Sequence, residues 1–250
     1  MRPKKSLGQN FLISPRISQM IALAGDIEAG ETIVEIGPGK GALTKELLAT
    51  AACVIAIEKD RELIAPLKER FAKEILEKKF EIIEGDVLEK DVTFSGKYKL
   101  IANIPYYITG AIIEKFCSSK NPPTLMVIMV QREVAERILA RDGKESILSI
   151  SVKVFGTPSI VMKVARGNFF PIPNVDSAVL KISDIKNPFA SKKEEETFFE
   201  FLKKGFAHKR KKLTSNLDLS VQEIETLQIP KNARAEDMPL EFWKNLTEKL

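Results

Sequence analysis

Asn103-Ile104-Pro105-Tyr106 is the stretch whose residue types most directly suggest chemistry. An exocyclic amine on an aromatic base is a poor nucleophile, because its lone pair is delocalised into the ring. Two acceptors that hold its hydrogens favour the pyramidal nitrogen that develops during attack. That is transition-state stabilisation by preorganised dipoles rather than base catalysis. The Asn103 side-chain oxygen supplies one acceptor and a main-chain carbonyl beside Pro105 the other. Pro105 restricts the backbone of Ile104 and so helps to aim that carbonyl, while Tyr106 offers a face on which a base can stack. Ordinary turns also use Asn and Pro, so the tetrapeptide gains meaning from what stands near it.

A second constellation supplies that context. The run TIVEI at 32–36 leads directly into Gly37-Pro38-Gly39-Lys40-Gly41 and then a helical pattern. Glycines there allow a sharp turn and a close approach of ligand to main chain. The spacing is GxGxG rather than the GxGxxG dinucleotide fingerprint, which disfavours a nicotinamide or flavin. Glu58 ends the next strand-like run, where a carboxylate can accept from both hydroxyls of a ribose, and Asp86, followed by Val87, closes the third. In an open α/β sheet these strand ends border one crevice. Together they point to an adenosine-containing cofactor, and Asn103 follows the fourth run at the same end.

The elements that must position these groups alternate in type. CVIAIE, FEIIEGD, KLIAN and LMVIMV read as strands separated by helical stretches, including an amphipathic one from Arg61 to Glu77 capped by Asp60. This is the rhythm of βαβ units, and LMVIMV is as continuously apolar as a strand buried on both faces should be. Ser14-Pro15 signals a helix start ahead of TIVEI. SIVMKVA and SAVLKI flank the loop FFPIP at 169–173 and are expected to pair antiparallel at a sheet edge. The segment SILSISVKVF at 146–155 alternates like a strand, although a helix is also compatible with its position. After Ser183 a polar link leads to helical patterns that run to the C-terminus. The organisation expected is a catalytic α/β domain over 1–185 and a small all-helical domain over 186–250.

Charge is unevenly placed. Arg2, Lys4, Lys5 and Arg16 lie in the first sixteen residues, and Lys203, Lys204, Lys209, Arg210, Lys211 and Lys212 lie in 201–217, with no acid in either segment. Setting these ten aside leaves 29 basic against 34 acidic residues, so the remainder is net acidic. Localised clusters of this kind suit a phosphate backbone, and solvated helix faces are the alternative. Lys4, Lys5, Lys209, Arg210, Lys211 and Lys212 are the candidate RNA contacts.

Other chemistries find little support. A single histidine, His208, gives neither a multi-histidine metal site nor a serine-histidine-acid triad, so no metal is expected. Cys53 and Cys117 sit in apolar sequence, as small buried hydrophobes do. No run approaches the roughly 18 apolar residues of a membrane span. With no apolar leader after Met1, a cytoplasmic monomer is expected.

These motifs, taken with KSLGQNFL at 5–12, resemble the KsgA family of small-subunit (16S) rRNA adenine dimethyltransferases over nearly the whole chain. VEIGPGKGALT is similar to the family's glycine motif, GDVL to its third-strand motif and NIPYYIT to its catalytic motif. NFFPIPNVDSAV is similar to its target-base loop, and FAHKRKKLTSNL to its basic helical signature. The resemblance implies a class I, Rossmann-like methyltransferase fold that uses S-adenosylmethionine, contacted from Asn10, Leu12, Gly37, Gly39, Glu58, Asp86, Val87 and Asn103. It implies that Phe169 or Phe170 joins Tyr106 in sandwiching a flipped adenine. It also implies that two adjacent adenosines near the 3′ end of small-subunit rRNA, in a pre-ribosomal particle, each receive two methyl groups. A helix is implied over 146–155, against the local alternation, and is the reading adopted. Asn174 departs from the pattern, since a basic residue usually follows PIP. The alternatives are a large-subunit (23S) rRNA dimethyltransferase of the macrolide-resistance type, a non-catalytic rRNA-binding assembly factor and a DNA adenine methyltransferase.

Overall fold

Apolar runs that alternate with amphipathic stretches build a layered α/β core. The computed structural model describes residues 3–4, 7–50, 52–90 and 92–249, with the backbone alone at 248 and 249. Among these residues the strands are β1 (Phe11–Leu12), β2 (Thr32–Ile36), β3 (Cys53–Glu58), β4 (Phe80–Glu84), β5 (Tyr98–Ala102), β6 (Leu125–Gln131), β7 (Thr157–Val164), β8 (Phe169–Phe170) and β9 (Ser177–Ser183). Seven of them form one sheet in the order β4-β3-β2-β5-β6-β9-β7. β2 to β6 run parallel, and β9 and then β7 join antiparallel at the edge, as the flanks of FFPIP suggested. The chain steps outward from β2 through β3 to β4 and resumes on the other side of β2 with β5. The reversal therefore lies between β2 and β5, which is where an open α/β sheet leaves a crevice at its carboxyl edge.

Helices α1 (Pro15–Ala24), α2 (Ala42–Leu48), α3 (Arg61–Arg70), α4 (Ala72–Leu76), α5 (Thr109–Cys117) and α6 (Arg132–Ile138) follow the expected stretches. Pro15 occupies the first turn of α1, and Asp60 accepts from the Glu62 amide at 3.2 Å to cap α3. The long amphipathic stretch divides at Phe71, whose ring packs edge-on against Phe80 at 5.2 Å. β1 pairs with β8 in a separate ribbon that local pattern did not reveal, because two residues carry no periodicity.

By internal contacts the chain divides into two compact units, Met1–Ala135 with Thr157–Lys186 and Glu136–Gly156 with Asn187–Leu250. Composition places the boundary near 185, whereas the folded chain also groups 136–156 with the second unit. That segment contains α7 (Ile147–Lys153), so the alternating run is a helix. Ser146 and Ser149 cap it reciprocally: the Ser146 hydroxyl accepts from the Ser149 amide at 3.1 Å and the Ser149 hydroxyl from the Ser146 amide at 2.6 Å. Ile147, Ile150 and Val154 also satisfy helical spacing, so the cap and the tertiary contacts decide between two periods. The second unit continues with α8 (Lys192–Phe206), α9 (Leu213–Leu217), α10 (Val221–Thr226) and α11 (Leu240–Lys249). Trp243, fully buried, stacks on Phe206 at 5.5 Å, and a Cβ at Gly205 would lie 2.4 Å from its indole. Glycine at that point lets α8 approach the tryptophan.

Candidate active site

A cleft in the first unit lies at the β2/β5 reversal, between the glycine loop, the ends of β3 and β4 and the Asn103 strip. The loop carries left-handed glycines, and Gly39 (φ +59°) shows why they are needed. Its amide donates to Glu58 Oε2 at 3.1 Å, while a Cβ there would press on the Phe11 ring at 3.1 Å. A Cβ at Gly37 would meet no atom within 4 Å, so that glycine opens onto free space. Glu58 is buried, and its other oxygen accepts from the Asp60 amide at 2.8 Å. Burial raises its pKa, opposed by the two amides that favour the charged form. Two donors leave lone pairs on a carboxylate that has room for about four hydrogen bonds.

Asp86 stands one residue beyond Gly85 at the end of β4. Its Oδ2 accepts from Lys59 Nζ at 2.6 Å and its Oδ1 from the Leu88 amide at 2.9 Å. The Lys59 ammonium beside it holds this carboxyl below the usual range. Val87 is buried and lines the cleft with it. Lys115, on α5, donates to the carbonyls of Leu88 and Lys90 at 3.2 and 2.8 Å and so fixes the loop that carries Asp86.

The strip after β5 completes the wall. Asn103 Nδ2 donates to the Asn10 carbonyl at 3.5 Å, which orients the amide and leaves Oδ1 as its acceptor. Ile104 is buried, Pro105 has φ −58° and ψ 134°, and Tyr106 opens a short 3₁₀ turn. The Tyr106 hydroxyl and the buried Ser177 hydroxyl share a hydrogen bond of 2.6 Å, which fixes the ring. Burial raises the Tyr106 pKa, so the phenol is neutral at pH 7. Asn10 and Leu12 line the same cleft, with Asn10 Nδ2 on the Gly8 carbonyl at 3.1 Å. The structure thus gathers Asn10, Leu12, Gly37, Gly39, Glu58, Asp86, Val87 and Asn103–Tyr106 around one space.

It separates the two phenylalanines. Phe169 is 1% exposed within the core, whereas Phe170 is 56% exposed. The alternation follows from the pairing of Phe169 with Leu12 and Phe170 with Phe11, which sends successive side chains to opposite faces. Of the two candidates for stacking on a base, Phe169 is thus packed inward and Phe170 is the one that faces solvent. Beside Asn174, where a cation was missing, the Arg166 guanidinium donates to the Asn174 carbonyl at 3.5 Å.

Lys4, a candidate RNA contact, is engaged within the fold. Its ammonium meets Asp60 at 2.7 Å and Glu62 at 2.9 Å, and Gln9 Nε2 adds a bond to Asp60 at 2.8 Å. Two carboxylates occupy the lysine, which ties the N-terminal segment to the start of α3. Lys5 lies outside the described residues. Lys209, Arg210, Lys211 and Lys212 are exposed in the second unit, between α8 and α9. Sequence reasoning gave no role to Glu35 in VEIGPGKGALT. This glutamate is fully buried in β2 at the cleft wall, accepts from the Thr44 hydroxyl at 2.6 Å, and is pushed up to about 8, by burial first and the Glu58 charge second. An acid inside an otherwise apolar buried strand was the available signal. Asp60 was read only as a cap, because its partners are more than fifty residues away in sequence.

The model of the family described as ribosomal RNA adenine dimethylase matches residues 1–250. The chain belongs to this family. It is accordingly a methyltransferase enzyme with the Rossmann-like fold of S-adenosylmethionine-dependent methyltransferases. Among the curated relatives, ribosomal RNA small subunit methyltransferase A of Dehalococcoides mccartyi strain 195 is 39% identical over 98% of this chain and 88% of its own. The protein of that name from Mycoplasmopsis pulmonis is 42% identical over 91% of this chain and 88% of its own. A dimethyladenosine transferase from Plasmodium falciparum superposes with TM-score 0.79 at 28% identity, covering 95% of this chain and 96% of that one. The 23S rRNA methyltransferase ErmE superposes equally well, with TM-score 0.79, at 23% identity over 96% of this chain and 99% of its own, and so shares the fold.

Proposed function

We propose that this chain transfers methyl groups from S-adenosylmethionine to the exocyclic N6 amines of two adjacent adenosines near the 3′ end of small-subunit (16S) rRNA, two methyl groups to each. The substrate is the rRNA within a pre-ribosomal particle. The observation that carries the reading is the placement of an oriented Asn103 amide on the wall of the cleft that also holds the glycine loop, Glu58 and Asp86.

The residues fit the cofactor. Glu58 is held by two amides with acceptor capacity to spare for a ribose diol, and Gly37 leaves open space where a side chain would intrude. Asp86 presents a fixed carboxylate that can accept from an adenine amine, and Asn10 and Leu12 line the same cleft. When bound, the cofactor supplies an electrophilic methyl group on a sulfonium.

The chain's own work lies on the acceptor side. Asn103 Oδ1 and the carbonyl of Ile104, aimed by Pro105, accept the two hydrogens of the target amine and favour its pyramidal form. Tyr106, pinned through Ser177, and the exposed Phe170 hold the base between their faces. No strong general base is required, because the nitrogen would release its proton to solvent only once it has begun to bond the methyl group leaving the sulfonium. Lys209 to Lys212 engage phosphate, and 186–250 serves as the rRNA-binding domain with 1–185 as the catalytic one.

Incubating purified protein with labelled cofactor and under-methylated ribosomal subunits tests the reading. Dimethyladenosine is expected in small subunits. Label confined to large subunits would overturn it.

A further inference from the structure

Lys59 has no part in the function proposed above, yet it adjoins one of the two carboxylates that the cleft offers a nucleoside and pairs with the other. It follows Glu58 at the end of β3, and its Nζ reaches across to Asp86 Oδ2 at 2.6 Å. The Leu88 amide takes the other oxygen of Asp86 at 2.9 Å, so both oxygens are held. Lys59 and Asp86 line the cleft together and also border a smaller cavity with Arg61, Glu84, Glu89 and Lys90. Of those charges, Arg61 is engaged by Glu84 at 2.6 Å. Lys115 meets the carbonyls of Leu88 and Lys90 and adds a weaker field at Asp86, while Tyr107 and Glu89 add weak fields at Lys59. Among the described residues, Lys59 is therefore the cation seen in direct contact with the Asp86 carboxylate.

A carboxylate fixed in this way accepts hydrogen bonds and donates none. A base carrying an exocyclic amine satisfies it, and a base carrying an oxygen at the same position leaves it facing another acceptor. We propose that Lys59 is a positioning and specificity residue for the cofactor's base, holding Asp86 as a charged acceptor that selects an amino-purine over a 6-oxo purine. This rests on the cofactor assignment made above. Lys59 is half exposed, so the ion pair itself contributes little to folding. Its effect lies in orienting a group that a ligand must meet, where a mispaired acceptor is rejected strongly.

Calorimetry with S-adenosylhomocysteine and its inosine counterpart, from neutral pH down to the acid limit at which each protein stays folded, tests this on the intact protein, Lys59→Met and Lys59→Arg. Carbon-detected NMR of the Asp86 carboxyl reports its titration in the same samples. Lys59→Met is expected to bind S-adenosylhomocysteine about three- to tenfold more weakly and to discriminate less against the inosine form. Binding requires ionised Asp86, so affinity falls as pH drops through its pKa. Removing the cation raises that pKa, and the fall then begins at higher pH. Lys59→Arg should restore most of the affinity and the pH profile. Unchanged affinity, discrimination and Asp86 titration in Lys59→Met would overturn the proposal while leaving the cofactor assignment standing. Failure of the folded unsubstituted protein to bind S-adenosylhomocysteine at all would overturn both.

Discussion

In the cleft, polar groups are pinned by main chain: Glu58 by the Gly39 and Asp60 amides, Asp86 by the Leu88 amide, Asn103 by the Asn10 carbonyl. In the segment between α8 and α9, Lys209, Arg210, Lys211 and Lys212 stand in solvent, and what is pinned is the backbone at either end. Asn216 donates to the carbonyls of Gly205 and His208 at 2.5 and 3.2 Å, and the Leu213 amide donates to Ala233 at 2.9 Å. The first arrangement suits chemistry that needs dipoles fixed before the reaction. The second suits a polyanion, whose binding depends on charge number and counterion release more than on any one geometry.

The same division runs through Phe169-Phe170, and substituting each residue separately gives the widest contrast. Phe169→Ala should cost about 3–5 kcal/mol of unfolding free energy, measured by denaturant titration. Phe170→Ala should leave stability within about 0.5 kcal/mol and lower kcat/KM for methyl transfer. Equal stability losses would break the division. Asn103→Ala should reduce methyl transfer by about 10²–10³-fold, by analogy with removal of one preorganised transition-state contact, while RNA binding measured on filters persists. Turnover at the original level would refute the role given to its amide.

On the presented side, replacing Lys209, Arg210, Lys211 and Lys212 with Gln should weaken RNA binding. The salt slope should flatten by about 0.7–0.9 for each phosphate that is no longer neutralised. An unaltered slope would return that segment to an ordinary solvated loop. A further contrast concerns Glu35, whose folded pKa is raised to about 8. Between its ordinary value and about 8 the folded state keeps a proton that the unfolded state has released, so stability falls as pH rises through that window. Glu35→Gln should remove that fall, which thermal melts at pH 5 and pH 8 would detect.

Several features were legible because they depend on neighbours in sequence. The βαβ rhythm, the glycine loop and the strip after KLIAN follow from periodicity and from backbone requirements that only a few residue types meet. The run 146–155 was not legible by its own pattern, since its apolar residues satisfy both a strand and a helix. Reciprocal serine caps and packing settled it as α7. The pairing of Lys4 with Asp60 and Glu62 was not legible either, because those acids lie far along the chain.

The sequence by itself determined the fold class, the family and the order of the groups around the cleft, because each is encoded by local residue type and spacing. Only the tertiary structure decided that Phe170 rather than Phe169 is presented, that Lys4 is a tether and that Lys59 holds Asp86. Those outcomes depend on which side of a ribbon a residue faces and on which charge lies within about 3 Å across the fold, and charged contacts of that kind are set by three-dimensional distance, not sequence separation.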